Sequence, residues 1–322
     1  MAIVNKTVVL PVDYTTEIIR GIVGRSKALE LGRRLRDLRT KETYLNVISE
    51  LPIAGWVSKS QATPNTEGAE INHKPISQLA WEGVKLIAEE IAVIVPVAEA
   101  TLEDVEDFGV DLAGELSEQV IGAFQEVIDG TVFFGENNPF GDSFVGIVPG
   151  AAAAGAVVEW DGSTGTSFYY AISNAMKLVE ESGYYPNVIV GGPSLNSAFR
   201  TAITDLGINV TEQGEIGQLA RHVDMTGAWE NSGAFAIVGD FRYLVYAFRK
   251  ELTMKLLTEA TLADPDTKAV LYNLAQQDMV GFRFKMRLGF ALPNPVNRVN
   301  STDKRYPFAL IKNAQYDGSG SN

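Results

Sequence analysis

The chain of 322 residues contains no cysteine and only two histidines, His73 and His222. Without cysteine there is no disulfide framework, no iron–sulfur cluster, no thiolate zinc site and no cysteine nucleophile. Two histidines exclude a histidine-rich metal centre and leave a histidine base only two candidates. Long apolar runs are missing too: Ile91–Ala98 and the Ala/Gly-rich Ile147–Val158 both fall short of the ~20 residues a helix needs to cross a bilayer. The N-terminus has a short apolar patch broken by Pro11 and no small-residue cleavage site after it, so it reads as no signal peptide. No P-loop, no dinucleotide-binding glycine fingerprint and no Gly-x-Ser-x-Gly elbow occurs.

Basic charge is absent from one long region. Between Leu86 and Met176 there is no Lys or Arg, while sixteen Asp and Glu fall there. The whole chain carries −13, so the remainder is net positive. An acidic chain is a poor nonspecific nucleic-acid binder, because phosphate neutralisation needs Lys and Arg. Two segments lean basic: Arg20–Lys41, with Arg25, Arg33, Arg34, Arg36 and Arg39, and Gly281–Lys312, with Arg283, Lys285, Arg287 and Arg298. Basic ends and an acidic middle suggest that the ends lie against the middle, within one subunit or between subunits. Two separately solvated faces, or a basic N-terminal helix on nucleic acid, are the alternatives.

Periodicity divides the chain into parts. Residues 1–15 look extended, and 16–50 have partly helical spacing (Ile18, Ile22, Leu29, Leu35, Leu38). Leu51–Val97 reads as a long two-stranded excursion, with Ile53, Trp56 and Val57 before a polar tip, Lys59–Pro75, and Leu79, Trp81, Val84 and Leu86 after it. Alternation switches parity at Glu89–Glu90, as a β-bulge would cause. Thr101–Gly130 is the clearest element, a helix with Leu102, Val105, Phe108, Leu112, Leu116, Val120, Phe124 and Val127 on one stripe, its acids mostly off it, and Gly130 as its stop. Gly130–Gly165 reads as loop. Helices are expected over 167–182, 194–206 and 267–280, and strands over 187–190, 234–238, 244–249, 253–257, 282–292 and 308–312. A Gly/Ser tail, Asp317–Asn322, ends the chain. Alternating α and β between two halves of a helix-plus-strand unit suggests a discontinuous second domain.

Candidate chemistry is thin. Gly191-Gly192-Pro193-Ser194 could cradle an anion at a helix start, although a tight turn with a Ser cap accounts for it more simply. Asp161-Gly162-Ser163-Thr164-Gly165 reads as a turn. His73 lies in the polar tip, and His222 could pair with Asp224. The acids of the long helix could supply paired carboxylates, but spread along a polar face they suit a solvated or partner-facing surface. Trp56 and Trp81 could form a cross-strand pair or a contact anchor. No catalytic, cofactor or metal residue is assigned, and no cofactor is expected.

The order of parts resembles the Hong Kong 97-type major capsid proteins of tailed double-stranded DNA bacteriophages. Glu89-Glu90-Ile91-Ala92-Val93-Ile94-Val95-Pro96-Val97 followed by Thr101-Leu102-Glu103-Asp104 is similar to that family's strand leading into its spine helix. Phe133-Phe134-Gly135-Glu136-Asn137 is similar to the turn after it, and Ile237-Val238-Gly239-Asp240-Phe241 and Gln277-Asp278-Met279-Val280-Gly281-Phe282-Arg283 to later segments. The resemblance covers roughly residues 45 to 312. It implies an α+β fold with an N-terminal arm (1–50), an extended β-hairpin loop (51–97), a peripheral domain (98–164 and 281–322) containing the spine helix (101–130), and an axial domain (165–280).

The function so implied is a structural virion protein and no enzyme, self-assembling as hexamers and pentamers into an icosahedral shell around double-stranded DNA, built in the host cytoplasm without a membrane. Subunit contacts are expected at Arg33, Arg34, Arg36 and Arg39 of the arm, at Trp56, Lys59, Lys74 and Trp81 of the loop, and at Glu103, Asp107 and Asp111 of the helix. A portal, a possible decoration protein and a separate scaffolding protein are the expected partners, since about fifty residues precede the hairpin and leave no room for a large fused scaffold. Some members join a loop lysine to a neighbour's asparagine beside a glutamate. Lys59, Lys74 and Asn273 are present here, but Asp278-Met279-Val280 stands where the glutamate belongs, so crosslinks are not expected. The competing readings are a bacterial nanocompartment shell of the same fold and a soluble carboxylate-based enzyme.

Overall fold

The computed structural model describes residues 22, 26–52, 79–102, 112–163, 166–202, 219–229, 233–264, 267–300, 302 and 304–313. In chain order the elements are α1 (Lys27–Leu31), β1 (Arg33–Arg34), β2 (Glu42–Ile48), β3 (Trp81–Ile87), β4 (Glu89–Ala98), α2 (Leu112–Asp129), α3 (Ile147–Ala154), β5 (Val157–Trp160), α4 (Thr166–Glu181), β6 (Val188–Gly191), α5 (Ser194–Thr201), β7 (Ala220–Val223), β8 (Ala234–Gly239), β9 (Val245–Leu257), β10 (Thr261–Ala263), β11 (Val270–Asn273), β12 (Met279–Ala291) and β13 (Phe308–Asn313). The expected tip of the excursion, residues 103–111 of the expected long helix, residues 1–15 and the tail lie outside the described residues.

Two sheets organise the chain. One has the order β1-β9-β12-β4. Its long strands β9 and β12 have 13 residues each, which at about 3.4 Å per residue reach roughly 40 Å. Phe284, Met286, Leu288, Phe248 and Leu252 are buried on one side of it, in one cluster with Phe124 and Ile128 of α2. The second sheet has the order β5-β13-β8-β6-β7. Beside it Trp160, Phe168, Phe199 and Phe235 form an aromatic cluster, with Trp160 and Phe235 centroids 4.5 Å apart. Phe140 and Phe144 lie edge-on and tilted against Phe290 of β12, so one apolar core runs from sheet to sheet.

Strand grouping departs from the boundaries expected at 165 and 280. β9 lies in the sheet of β12 and β4, whereas β13 closes the sheet of β6 and β8. The excursion also starts earlier than expected: its outgoing strand is β2, which pairs antiparallel with β3 from Glu42↔Ile87 to Ile48↔Trp81. The parity switch at Glu89 is a change of partner and no bulge. β3 pairs with β2, the ladder breaks at Ala88, and β4 pairs with β12. Bulges sit instead between β9 and β12 around Arg287, where the two short strands expected over 244–257 merge into one.

The long helix runs past Gly130 through a wider π turn, Gly130–Phe134, and stops at Gly135 with φ +72°. Its buried stripe is Val120, Ile121, Phe124 and Ile128, leaving Val127 exposed. A 3.6-residue turn carries the face from Phe124 to Ile128. The helix expected over 267–280 is a hairpin, β10–β11. Val270, Leu271 and Tyr272 are exposed, Leu274 and, in β12, Val280 are buried, and Asp278 sits at φ +47°, so no continuous helical apolar face exists to be buried. The stretch 147–160 expected as loop forms α3 and β5.

Gly289 marks where β12 passes beneath the β3–β4 junction: a Cβ there would lie 2.3 Å from the Ile87 carbonyl oxygen. Gly122, inside α2, has open space around it. We expect Gly289→Ala to lower stability by about 1–3 kcal/mol through overpacking, and Gly122→Ala to raise it by about 0.8 kcal/mol through helix propensity. Thermal unfolding of the two variants should move the midpoint in opposite directions.

Candidate assembly surfaces

The arm is fastened to the body by one buried carboxylate. Asp129, in the last turn of α2, is fully buried. Its oxygens accept from the Ser26 hydroxyl at 2.7 Å and from the backbone amides of Ala28 at 3.0 Å and Lys27 at 3.1 Å. Those amides open α1, where donors lack intrahelical partners, and Ser26 caps it through the amide of Leu29. Beyond it lies Asp224, also buried, accepting from the Trp229 indole and the Thr226 amide. Burial, and next the Asp224 charge, push Asp129 up to about 7, against the three donors that favour its ionised form. His222 does not pair with Asp224. Its Nδ1 lies 3.8 Å from Glu30 of α1, a second tie between arm and sheet.

The β2–β3 ribbon has one buried and one open face. Leu86 is buried with Val245, Ala247 and Ala291, and Leu45 and Val84 pack against this cluster. In the observed register Tyr44, Ile48, Trp81 and Lys85 share the other face. Tyr44 is 62% and Trp81 61% exposed. The far end of the described ladder is braced by the Val296 amide on the Ile48 carbonyl and by Arg298 on the Pro52 carbonyl.

The expected contact residues are found as follows. Arg33, Arg34, Arg36 and Arg39 are exposed. Arg34 is held by its own chain: Nη2 donates to Asp37 and Glu251, and its guanidinium lies 4.9 Å from the centre of the Phe248 ring. Trp81 lies on the open ribbon face. Trp56, Lys59, Lys74, His73, Glu103, Asp107 and Asp111 lie outside the described residues. Asn273 ends a strand, not a helix. Asp161 forms the expected turn, accepting from the Ser163 amide and hydroxyl and from Ser167. At Gly192-Pro193-Ser194 the turn is made by the Leu195 amide on the Gly192 carbonyl, and the Ser194 side chain makes no cap. Among the described residues no group of three metal-ligating side chains occurs, and no helix is long and apolar enough to cross a membrane. Sequence reasoning missed Asp129. The available signal was an acid in the final helical turn, where the macrodipole disfavours it.

A mixed fold of this kind, with a hairpin and an arm set on a helix-backed sheet, is the Hong Kong 97-type capsid fold. Residues 6–297 match the phage capsid family model, and the chain belongs to that family. A chain from Microbacterium phage Oxtober96 is 34% identical with a TM-score of 0.73, covering 90% of this chain and 91% of its own. One from Mycobacterium phage Bobi is 27% identical with a TM-score of 0.75, covering 90% of each. The capsid of an empty GTA particle, 16% identical with a TM-score of 0.55 over 90% of each chain, shares the fold. No curated protein matches the sequence. The chain is thus a phage capsid protein, a structural component of the virion.

The Asp129 junction has a pH signature. Its folded pKa lies above the unfolded one, so its contribution to stability is complete at low pH and is lost as pH rises through about 7. From pH 5 to pH 8 this removes roughly 2 kcal/mol. Denaturant unfolding of Asp129→Asn should show a flatter pH dependence than the unaltered protein. Asp129→Ala leaves the Ser26, Lys27 and Ala28 donors unpaired, at about 1–3 kcal/mol for each that stays buried. Limited proteolysis should then cut near α1 first.

Proposed function

We propose that this chain is a major capsid protein whose copies assemble as hexamers and pentamers into an icosahedral shell enclosing double-stranded DNA. A separate scaffolding protein, a portal and a possible decoration protein would act with it during assembly in the host cytoplasm. The observation that carries the reading is the open ribbon face. Tyr44 and Trp81 stand on a two-stranded element that has a core only at its base, and such ribbons are marginal alone. A neighbouring copy supplies the missing cover, and large aromatics of this kind anchor protein interfaces. The helix-backed sheet β1-β9-β12-β4 would form the peripheral domain and the five-stranded sheet the axial domain at capsomer centres. The arm arginines Arg33, Arg36 and Arg39 and the loop residues Trp56, Lys59 and Lys74 would join Trp81 in subunit contacts, with Glu103, Asp107 and Asp111 as acidic counterparts.

Size-exclusion chromatography with negative-stain microscopy should find capsomers or closed particles, and a compact monomer at all concentrations would contradict the reading. Trp81→Ala should leave the midpoint of thermal unfolding of the unassembled chain nearly unchanged. It should weaken assembly by about 2 kcal/mol or more per contact. Charge reversal at Arg33 and Arg36 should also impair assembly. Arg34 is the weaker test, because its internal pairs with Asp37 and Glu251 would be lost as well.

A further inference from the structure

The four-stranded sheet turns a second face away from the core, and that face is basic. Arg283, Lys285 and Arg287 alternate along β12 with the buried Phe284, Met286 and Leu288. Register places Lys255, Thr253 and Lys250 of β9 opposite them on one side, and Ile94, Ala92 and Glu90 of β4 on the other. Directly opposed residues project from the same face of a sheet. Five cations therefore share this surface. Among the described residues their one ion-pair partner is Glu90, 2.7 Å from Arg287 and 3.6 Å from Lys285.

Two features make this more than a solvated face. Lys255 stands opposite Arg283, and Lys250 opposite Arg287. Like charges in direct cross-strand register destabilise a sheet, so the fold carries a cost that an outside anion would remove. The Arg283 Nε is buried and has no hydrogen-bond partner. Toward the sheet's end the chain's own Leu274 covers Gly281 and leaves Ile94, 40% exposed, as an apolar margin to the basic patch. A partner with carboxylates and apolar side chains fits this surface better than a nucleic-acid backbone does. The same chain holds sixteen acids and no cation between Leu86 and Met176.

We infer that the basic outer face of the β9–β12–β4 sheet is a docking surface for acidic side chains of residues 99–161 of a second copy of this chain. The inference rests on the shell reading above and specifies one of its contacts. Complementary charge there sets the register between copies more than the strength of their association.

The test pairs a chemical and a genetic readout on the full-length chain. Isotopically light and heavy copies are assembled together and treated with a carbodiimide, which joins amines to carboxylates. Mass spectrometry should find Lys250 or Lys255 bonded to an Asp or Glu of 99–161 across a light–heavy pair. Links confined to single chains, or links to carboxylates elsewhere, overturn the inference. The double variant Lys250→Glu/Lys255→Glu, which turns two like-charged cross-strand pairs into opposite-charged ones, should unfold at the same or a higher temperature and need at least tenfold more protein to assemble. If it assembles as the unaltered chain does, the inference fails while the shell reading stands. If the unaltered chain never assembles, the shell reading itself fails. If the variant assembles normally and instead loses binding to a short DNA duplex, the face belongs to nucleic acid and the inference is overturned.

Discussion

A two-stranded ribbon can bury one side against its own body and must leave the other to something else. Here Leu45, Val84 and Leu86 turn inward onto β9 and β12, and Tyr44, Ile48 and Trp81 turn outward. Covering a large apolar side chain is worth about 1.5–3 kcal/mol, so the outward face is a reservoir of association energy that no residue of the described chain draws on. The close passage of β12 at Gly289 fixes where this ribbon leaves the body.

The arm depends on a different balance. Asp129 links α2 to the first turn of α1, while Glu30 and His222 link α1 to β7. A carboxylate buried near a second carboxylate is costly to ionise, and the three donors from the arm are what offset that cost. Arm, helix and five-stranded sheet meet at this one point, so the protonation of a single side chain weighs on how firmly the arm is held. Charge segregation along the chain thus divides into two parts. Some of it closes internally, as in Arg34 with Asp37 and Glu251. Among the described residues, Glu90 is the one ion-pair counterpart on the basic sheet face.

Long periodic elements were legible in the sequence, and partners were not. The helix over 112–129 and the strands near 188, 234, 282 and 308 follow from apolar spacing that each element's own geometry imposes. Three- and four-residue steps fit Val127 as well as Ile128, and only the folded chain, which leaves Val127 52% exposed and buries Ile128, decides between them. Val270, Leu271 and Leu274 fit a helix stripe equally well, yet the chain turns at Asp278 and leaves two of the three in solvent. The switch at Glu89 was visible as a change of parity, but whether a strand bulges or trades partners depends on β2, forty residues earlier in the chain. Of the residues discussed, Trp81, Arg33, Arg36 and Arg39 could be picked by type as surface candidates, whereas Asp129 acquires its role only from Ser26, 103 residues away.

The central claim is that copies of this chain complete one another through the ribbon. Hydrogen–deuterium exchange compared between unassembled chain and assembled particles tests it most directly. Strong added protection of residues 42–48 and 81–87 on assembly is the expected result. Equal exchange of the ribbon in both states, with particles otherwise intact, would contradict the account.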